Sequence, residues 1–426
     1  MHIARPKSWS RVCCGCAACS LICPSGVKME FSLETGIFNP VLEGECSNCE
    51  LCTKICPLRN IFSENNSISL ENLIGKYMRI YLGYARDNGI RIRASSGGVA
   101  TALLIHMLNS RVIDGAVAVS MNRYFAKPVF VKSIDEVLET TGSKYVQVPL
   151  LEVFKNIPRD TEKIAVVGLP CHIRALTLLK KTVSDLDKKI YVSIGLFCSR
   201  TINYYGLKAL IKKIGVRDFK DVVEIKFRTG GWPGYLRVKL ESGRVISIPY
   251  FKYWRPLFST YFFTPLSCLI CSDLFNEYSD ISLGDPWIPE ILRSESRGLS
   301  IIVTRSTIGE EIVRKAVEDG YIEIVEADQD TLLESQWYSI LFKKIIKPSM
   351  REMLGLDSRD SLSNPLLRLI TYIQLVNATY SYKTFYRDLI MRMPTFFLEA
   401  YAFLVSRIGR ICWRMIRSEI ENPHHK

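Results

Sequence analysis

Cysteines dominate the first sixty residues of this 426-residue chain, and their spacing repeats. Cys13, Cys16, Cys19 and Cys23, followed by Pro24, read C-x2-C-x2-C-x3-C-P, and Cys46, Cys49, Cys52 and Cys56, followed by Pro57, read the same. A double run of this kind holds a pair of 4Fe-4S cubanes. Three thiolates at two-residue intervals grip three irons from a tight loop, while the fourth, one turn into a following helix, points away and crosses over. Cys13, Cys16, Cys19 and Cys56 are therefore expected to hold one cluster, and Cys46, Cys49, Cys52 and Cys23 the other. Cys14 is left over. Structural zinc uses paired C-x2-C runs with four ligands, not two triplets each trailing a Cys-Pro. Disulfides would require export. The chemistry is transfer of single electrons.

Four more cysteines lie further on: Cys171, Cys198 and the C-x2-C pair Cys268 and Cys271, enough for a third site. Two loops of small residues accompany them. Ala94-Ser95-Ser96-Gly97-Gly98 precedes the apolar run Val99 to Leu108. Backbone N–H groups at the positive end of such a helix suit a phosphate; equally, Ser95 or Ser96 would serve only as an N-cap. Thr141 to Gln147 forms a second small, polar, basic loop.

These residues need elements to hold them. Between the cysteine runs, Met29, Phe31 and Leu33 alternate before Gly36, which predicts a hairpin over Val27 to Glu45. Asn60 to Ser69 is polar and reads as a linker, with a new domain from about Gly75. Strands are expected at Arg79 to Ala85, Gly115 to Ser120, Lys163 to Val167 and Ile190 to Leu196. Helices are expected at Val99 to Leu108, from Ile134, and at Ile173 to Lys181. Alternating strands and helices argue for an α/β layer, with Cys171 and Cys198 at the C-terminal ends of adjacent strands, where such sheets bind ligands. A strand pair follows around Tyr235 to Ile248.

With 48% hydrophobic and 23% charged residues, most of the chain must have a packed core. Met1 to Ser10 contains His2, Arg5 and Lys7 but no apolar run, so no signal peptide is expected and fourteen cysteines point to reduced thiols in a cytoplasm. The formal charge of +13 overstates the basic character, because three cubanes would offset about six charges. Nucleic acid is not an expected partner.

In their order along the chain, Ser96-Gly97-Gly98-Val99, Gly142-Ser143-Lys144-Tyr145, Gly168-Leu169-Pro170-Cys171, Leu196-Phe197-Cys198, Cys268-x2-Cys271 and Asp280 to Trp287 resemble the β-subunit family of the deazaflavin-dependent (factor 420) hydrogenases and dehydrogenases. The resemblance covers roughly residues 1 to 344. It implies a flavoprotein in which FAD, with FMN or deazaflavin as alternatives, exchanges electron pairs with an organic substrate and single electrons with clusters. It also implies a third 4Fe-4S cluster at Cys171, Cys198, Cys268 and Cys271, with zinc or plain thiols as alternatives. Ser95, Ser96, Gly97 and Gly98 are expected near the cofactor phosphates, and Gly142, Ser143 and Lys144 at its ring or pyrophosphate. Lys144 is expected to stabilise an anionic reduced ring or to be merely a solvated lysine. Arg228 is a candidate for an anionic substrate, Asp285 for the cofactor or for capping a turn before Pro286, and His172 for proton donation or core packing. Relatives occur in bacterial surface-polysaccharide contexts, which suggests a glycan-precursor substrate. Two departures stand out: His172 where Gln is expected, and Ser199-Arg200 where many members carry His-Gly.

The resemblance fades after Pro348. Leu366 to Val376 reads as an apolar helix. From Thr395 to Arg417, Glu399, Ser406, Arg407, Arg410, Arg414 and Arg417 fall within about 100° of a helical wheel, the rest being apolar. Such a helix lies in an anionic membrane interface or packs on its own domain or a second subunit.

The sequence thus predicts an α+β ferredoxin-like dicluster domain (residues 1–60), an α/β flavin-binding and iron–sulfur domain (75–345) and an α-helical extension (346–426). The expected protein is cytoplasmic, at the inner membrane face in the interfacial case. Its expected function is reduction of a small organic substrate by electrons from a donor such as ferredoxin. The alternatives are a non-catalytic electron-transfer subunit serving a partner enzyme, and an assembly protein without flavin.

Overall fold

The computed structural model describes residues 12–59, 69–252, 254–355 and 364–421. Met1 to Ser10 and the linker stretch from Asn60 to Ile68 lie outside the described residues.

The expected hairpin forms as β1 (Val27–Ser32) and β2 (Ile37–Leu42), paired antiparallel with Ser32 opposite Ile37. Each cysteine triplet ends in a single helical turn, Cys19–Ile22 and Leu51–Lys54, shorter than a helix able to carry the fourth cysteine. Cys23 is the C-cap of the first turn.

An eight-stranded sheet carries the site. Its strands in chain order are β3 (Arg79–Ala85), β4 (Gly115–Asn122), β5 (Phe125–Val131), β6 (Ile164–Gly168), β7 (Ile190–Leu196), β11 (Ile281–Gly284), β12 (Ser300–Thr304) and β13 (Ile322–Glu326). The spatial order is β13-β3-β12-β11-β7-β6-β4-β5. The four central strands β11, β7, β6 and β4 are parallel, and both flanks are antiparallel. Ile164, Ala165 and Val166 are fully buried, as suits a parallel strand covered on both faces. Asp280 secures the sheet: its carboxylate accepts from the Ser193 N–H and hydroxyl and from the Ser306 hydroxyl. The strand pair near residue 240 is part of a separate antiparallel sheet of β8 (Val222–Thr229), β9 (Tyr235–Leu240) and β10 (Val245–Pro249).

Of six helices, the first three and the last line the site and the other two lead into the last. They are α1 (Val99–Asn109), α2 (Pro170–Lys180), α3 (Gln329–Ile340), α4 (Pro365–Tyr380), α5 (Thr384–Arg392) and α6 (Thr395–Glu421). The C-terminal helices share one core with the sheet: Ile80, Ile301, Phe342, Met350, Leu367, Val405 and Trp413 belong to a single buried cluster running through the expected boundary at residue 346. On α6 the expected polar arc divides. Arg410 pairs with Glu334 of α3 at 3.1 Å, and Arg417 with Asp330 and Glu334 at 3.3 and 3.5 Å, while Arg407 and Arg414 stay exposed. One face of the helix thus packs on its own domain. Among the described residues no single helix is long and apolar enough to cross a membrane.

Candidate redox site

A cavity of about 690 Å³ opens at the carboxyl ends of the parallel strands. Gly168 and Leu169 at the end of β6, Leu196 to Arg200 at the end of β7, and Gly284, Asp285 and Trp287 at the end of β11 line it. In an open α/β sheet this is where ligands bind, because strand ends and loops leave a crevice there.

The two small-residue loops meet across this cavity. The Ser143 N–H donates to the Ser95 hydroxyl at 2.8 Å, and that hydroxyl donates to the Arg228 carbonyl at 3.3 Å. Ser96 donates to the Leu299 carbonyl at 2.6 Å, and Ser300 accepts from the Gly97 N–H at 2.9 Å. Neither serine caps α1. The N-cap is Gly98 at φ 79°, with no side-chain cap. Gly98, Val99, Ala100 and Thr101 line the cavity, so uncapped N–H groups and the positive helix end face it. The phosphate reading is the one this geometry supports, with backbone as the donor and the serines holding the loops. Gly97 is not on the cavity wall.

Lys144 also lines the cavity, but its ammonium donates to the carbonyls of Thr140, Thr141 and Gly142. Burial lowers its pKa to about 7. It is neither a solvated lysine nor an uncommitted charge. It is a buried amine whose proton is weakly held beside the cavity.

Arg228 is not available to a substrate. Its guanidinium makes a bidentate pair with Asp285 at 2.8 and 2.7 Å and donates to the Pro233 carbonyl at 2.9 Å and the Tyr145 hydroxyl at 3.2 Å. Burial opposes the charge, yet the adjacent Asp285 carboxylate holds its pKa well above the ordinary value. Asp285 also accepts from the Trp232 indole at 2.7 Å. It is committed to this pair and is not simply a turn cap. Trp287 stacks between Trp232 and Tyr250, at 5.3 and 5.5 Å, and makes an aromatic wall over the pair.

His172 is likewise committed. Nδ1 accepts from the Leu169 N–H at 3.2 Å, which leaves Nε2 to donate to the Val148 carbonyl at the same distance. Burial lowers its pKa to about 4. A neutral ring with both nitrogens engaged caps α2 and is not a proton donor at neutral pH.

The cysteines form two groups that touch. Cys13, Cys16, Cys19 and Cys56 line one pocket with Cys52 and Cys14, so the first expected ligand set is gathered. The Gly15 N–H donates to the Cys13 sulfur at 3.3 Å. The second set is more open. Cys46 and Cys49 are exposed and Cys23 lies outside that pocket. The Leu51 N–H holds the Cys49 thiol below its ordinary range. In the middle of the chain Cys198 is close enough to Cys268 and Cys271 to feel their charges, as is Cys171 to Cys198 and Cys271. Burial pushes the Cys198 thiol up to about 12, so a thiolate there needs compensating cations. Buried Lys343, which donates to the Cys198 carbonyl at 2.5 Å, supplies one: burial opposes its charge, yet the cysteines hold its pKa above the ordinary lysine value, whereas Lys347, donating to the Cys268 carbonyl at 2.7 Å, is pushed well below its ordinary value by burial and by Lys343. A cluster carried by thiolates fits this donor set. Among the described residues no group of His, Cys, Asp and Glu is placed to hold a lone metal ion.

Cys14, unassigned by spacing, lies where the two groups meet, lining the first pocket and packing with Cys271 against Leu58 and Ile270. Cys56 and Cys271 also pack together around Leu58 and Ile270.

Several site residues are invisible to spacing. Gln147 docks the cysteine module, its amide accepting from the Phe38 N–H at 2.6 Å and donating to the Cys13 carbonyl at 3.1 Å. Arg200, noted only as a departure, is a buried cation on the cavity wall, stacked 3.7 Å from the Tyr261 ring centroid. Lys343 and Lys347 could have been found only by knowing which turn packs on the thiols. From α6, Glu399, Phe403 and Ser406 close the outer wall of the cavity.

Residues 80–155 match the coenzyme F420 hydrogenase/dehydrogenase beta subunit N-terminal family model, and residues 161–330 its C-terminal counterpart. One subunit of the F(420)H(2) dehydrogenase of Methanosarcina mazei is 28% identical over 323 residues, spanning 72% of this chain and 84% of that protein. The coenzyme F420 hydrogenase beta subunit of Methanococcus voltae is 29% identical, spanning 60% and 86%. In the F420-reducing [NiFe] hydrogenase complex of Methanosarcina barkeri, one chain superposes with a TM-score of 0.53 at 24% identity, covering 69% of this chain and 98% of that one, which establishes the shared fold. The two family models together take in more than half of the residues, and the chain belongs to the coenzyme F420 hydrogenase/dehydrogenase beta subunit family.

Proposed function

We propose that this chain is an electron-transfer flavoprotein that relays single electrons from two N-terminal 4Fe-4S clusters, through a third at Cys171, Cys198, Cys268 and Cys271, to a flavin in the strand-end cavity. The observation that carries the reading is Cys14, which lines the pocket of the first ligand set and packs with Cys271 of the third set against Leu58 and Ile270, the third set's Cys198 being on the cavity wall. A flavin bound there would supply the exchange between electron pairs and single electrons.

This chain's residues do the rest. The uncapped N-terminus of α1 takes an anionic group of the cofactor, and Arg200 and Lys144 add positive charge to the same wall. The Arg228–Asp285 pair fixes the aromatic wall, and Gln147 holds the cysteine module in place. Relatives named as subunits of dehydrogenases and hydrogenases favour electron relay to a partner enzyme over a self-contained reductase. Their names offer coenzyme F420 as the two-electron partner, although Ser199-Arg200 departs from the expected sequence beside it. The second reading, reduction of an organic substrate by this chain alone, rests on the cavity wall contributed by α6 outside the matched family segments. Neither the relatives nor the cavity speaks for a glycan precursor.

The test is anaerobic purification, denaturation, and identification of the released cofactor by mass alongside an iron count. One flavin and about twelve irons per chain are expected, falling to about eight in Cys271→Ser. Intact clusters without a flavin would overturn the flavin assignment, and unchanged iron in Cys271→Ser would overturn the third cluster. Substrate reduction by the isolated chain, given a chemical reductant, would favour the second reading.

A further inference from the structure

Helix α6 is apolar on two sides, and its own domain covers only one. Leu398, Val405, Cys412, Trp413 and Ile416 are buried. On another side Phe396, Phe397, Phe403, Leu404, Ile411 and Met415 are each between 55% and 71% exposed. At 3.6 residues per turn these six, together with exposed Arg407 and Arg414, fall within an arc of about 120°. A helix of a soluble domain turns its polar side to water. Here the outward stripe is aromatic, aliphatic and cationic. The one acidic residue of α6 before Arg417, Glu399, is on the cavity side instead.

The neighbouring helix has the same character. Phe385, Tyr386 and Leu389 of α5 are exposed, with Arg392 following at its end. By length and composition α5 and α6 together reach what a membrane segment requires, which neither does alone, yet they meet at 99°. A pair so bent lies along a surface. Residues 364–426 carry nine Lys and Arg against four Asp and Glu, so the local charge is positive after Arg410 and Arg417 have paired with α3.

We propose that the α5–α6 surface docks on an anionic lipid bilayer, with the phenylalanines and aliphatic side chains at the acyl boundary and Arg407, Arg414 and Arg392 at the headgroups. Large apolar side chains with interspersed arginines that outnumber the acidic residues, Asp388 being exposed on α5, suit lipid phosphate, since long arginine stems follow their apolar neighbours into the interface and leave the charge at its edge. A protein interface is enriched in the same aromatics, Met and Arg, so the choice of lipid rests on the positive local charge and on the bent apolar pair. Phe403 belongs both to the exposed stripe and to the cavity wall, so docking sets the outer wall of the cavity against the membrane.

The experiment uses the full chain with its clusters, kept anaerobic and mixed with phosphatidylcholine vesicles with or without phosphatidylglycerol. Co-sedimentation with the anionic vesicles is expected to exceed that with neutral ones by about tenfold. Phe396→Ser with Ile411→Ser, and separately Arg407→Glu with Arg414→Glu, are each expected to reduce it by about tenfold or more while visible cluster absorbance is unchanged. Absence of binding to either vesicle would overturn the proposal, as would binding that both double variants leave intact. So would a wild-type dimer in solution that Phe396→Ser with Ile411→Ser dissociates, since the stripe would then be a subunit interface.

Discussion

Buried Arg228 and Asp285 satisfy each other, and a charge left alone there has no water to turn to. Arg228→Met should cost about 3–5 kcal/mol, and adding Asp285→Leu should recover part of it, because the destabilisation comes from the unpaired partner. Thermal unfolding of the single and double variants reads this, and a neutral Arg228→Met would refute it. Lys144 makes a pH prediction. Burial lowers its pKa to about 7, so between there and the ordinary lysine range near 10.5 the unfolded chain holds a proton that the folded chain lacks. Stability should therefore rise with pH across that window, and Lys144→Met should remove the slope in cofactor-stripped protein. A slope that survives would show that the amine does not titrate there. The sequence marks Lys144, Arg228, Asp285 and His172 as positions of interest. What they do was hidden, because the partners that settle it lie up to 83 residues away, as from Arg228 to Tyr145, or are backbone carbonyls, which no side-chain pattern reveals.

At the scale of elements, the N-terminus of α1 and the docking of the first cysteine loop carry the site. Ala100→Asp would place a carboxylate on the first turn, where the helix dipole favours it by about 0.3–1 kcal/mol, so thermal stability should hold or rise while an anionic cofactor is displaced. Loss of stability, or an undiminished cofactor content, would contradict the assignment of that helix end. Gly15 is at φ 68°, and a Cβ there would come 2.4 Å from the Gln147 amide. Gly15→Ala should therefore break the contact between the cysteine module and its domain, costing about 1–3 kcal/mol and lowering the iron content. An unchanged iron content and unfolding midpoint would refute it. Most strands and helices were legible because their apolar periods are strong: Arg79–Ala85 and Ile190–Leu196 appear as expected. The split of the α6 polar arc was not, since a helical wheel gives the arc but not which neighbour will cover it.

On the scale of the whole molecule, the expected extension is continuous with the sheet. Trp413 and Val405 share a core with Ile80 and Phe342, and α6 closes the cavity that the strand ends open. The helical wheel left α6 at a membrane interface or on its own domain, because charge is counted along the chain, whereas burial is decided across it. Order along the chain marked twelve cysteines, of which the structure gathers Cys13, Cys16, Cys19 and Cys56 in one pocket, but it gave no place to Cys14, which lies where two distant loops meet. The central claim is that electrons pass from the N-terminal clusters through the Cys171, Cys198, Cys268 and Cys271 site to the cavity. The most direct measurement supplies a low-potential one-electron donor to the anaerobic holo-chain and follows bleaching of the flavin in wild type and Cys271→Ser. The account predicts prompt reduction in wild type and, in Cys271→Ser, reduced N-terminal clusters beside a flavin that stays oxidised. Equal flavin reduction in both would contradict it.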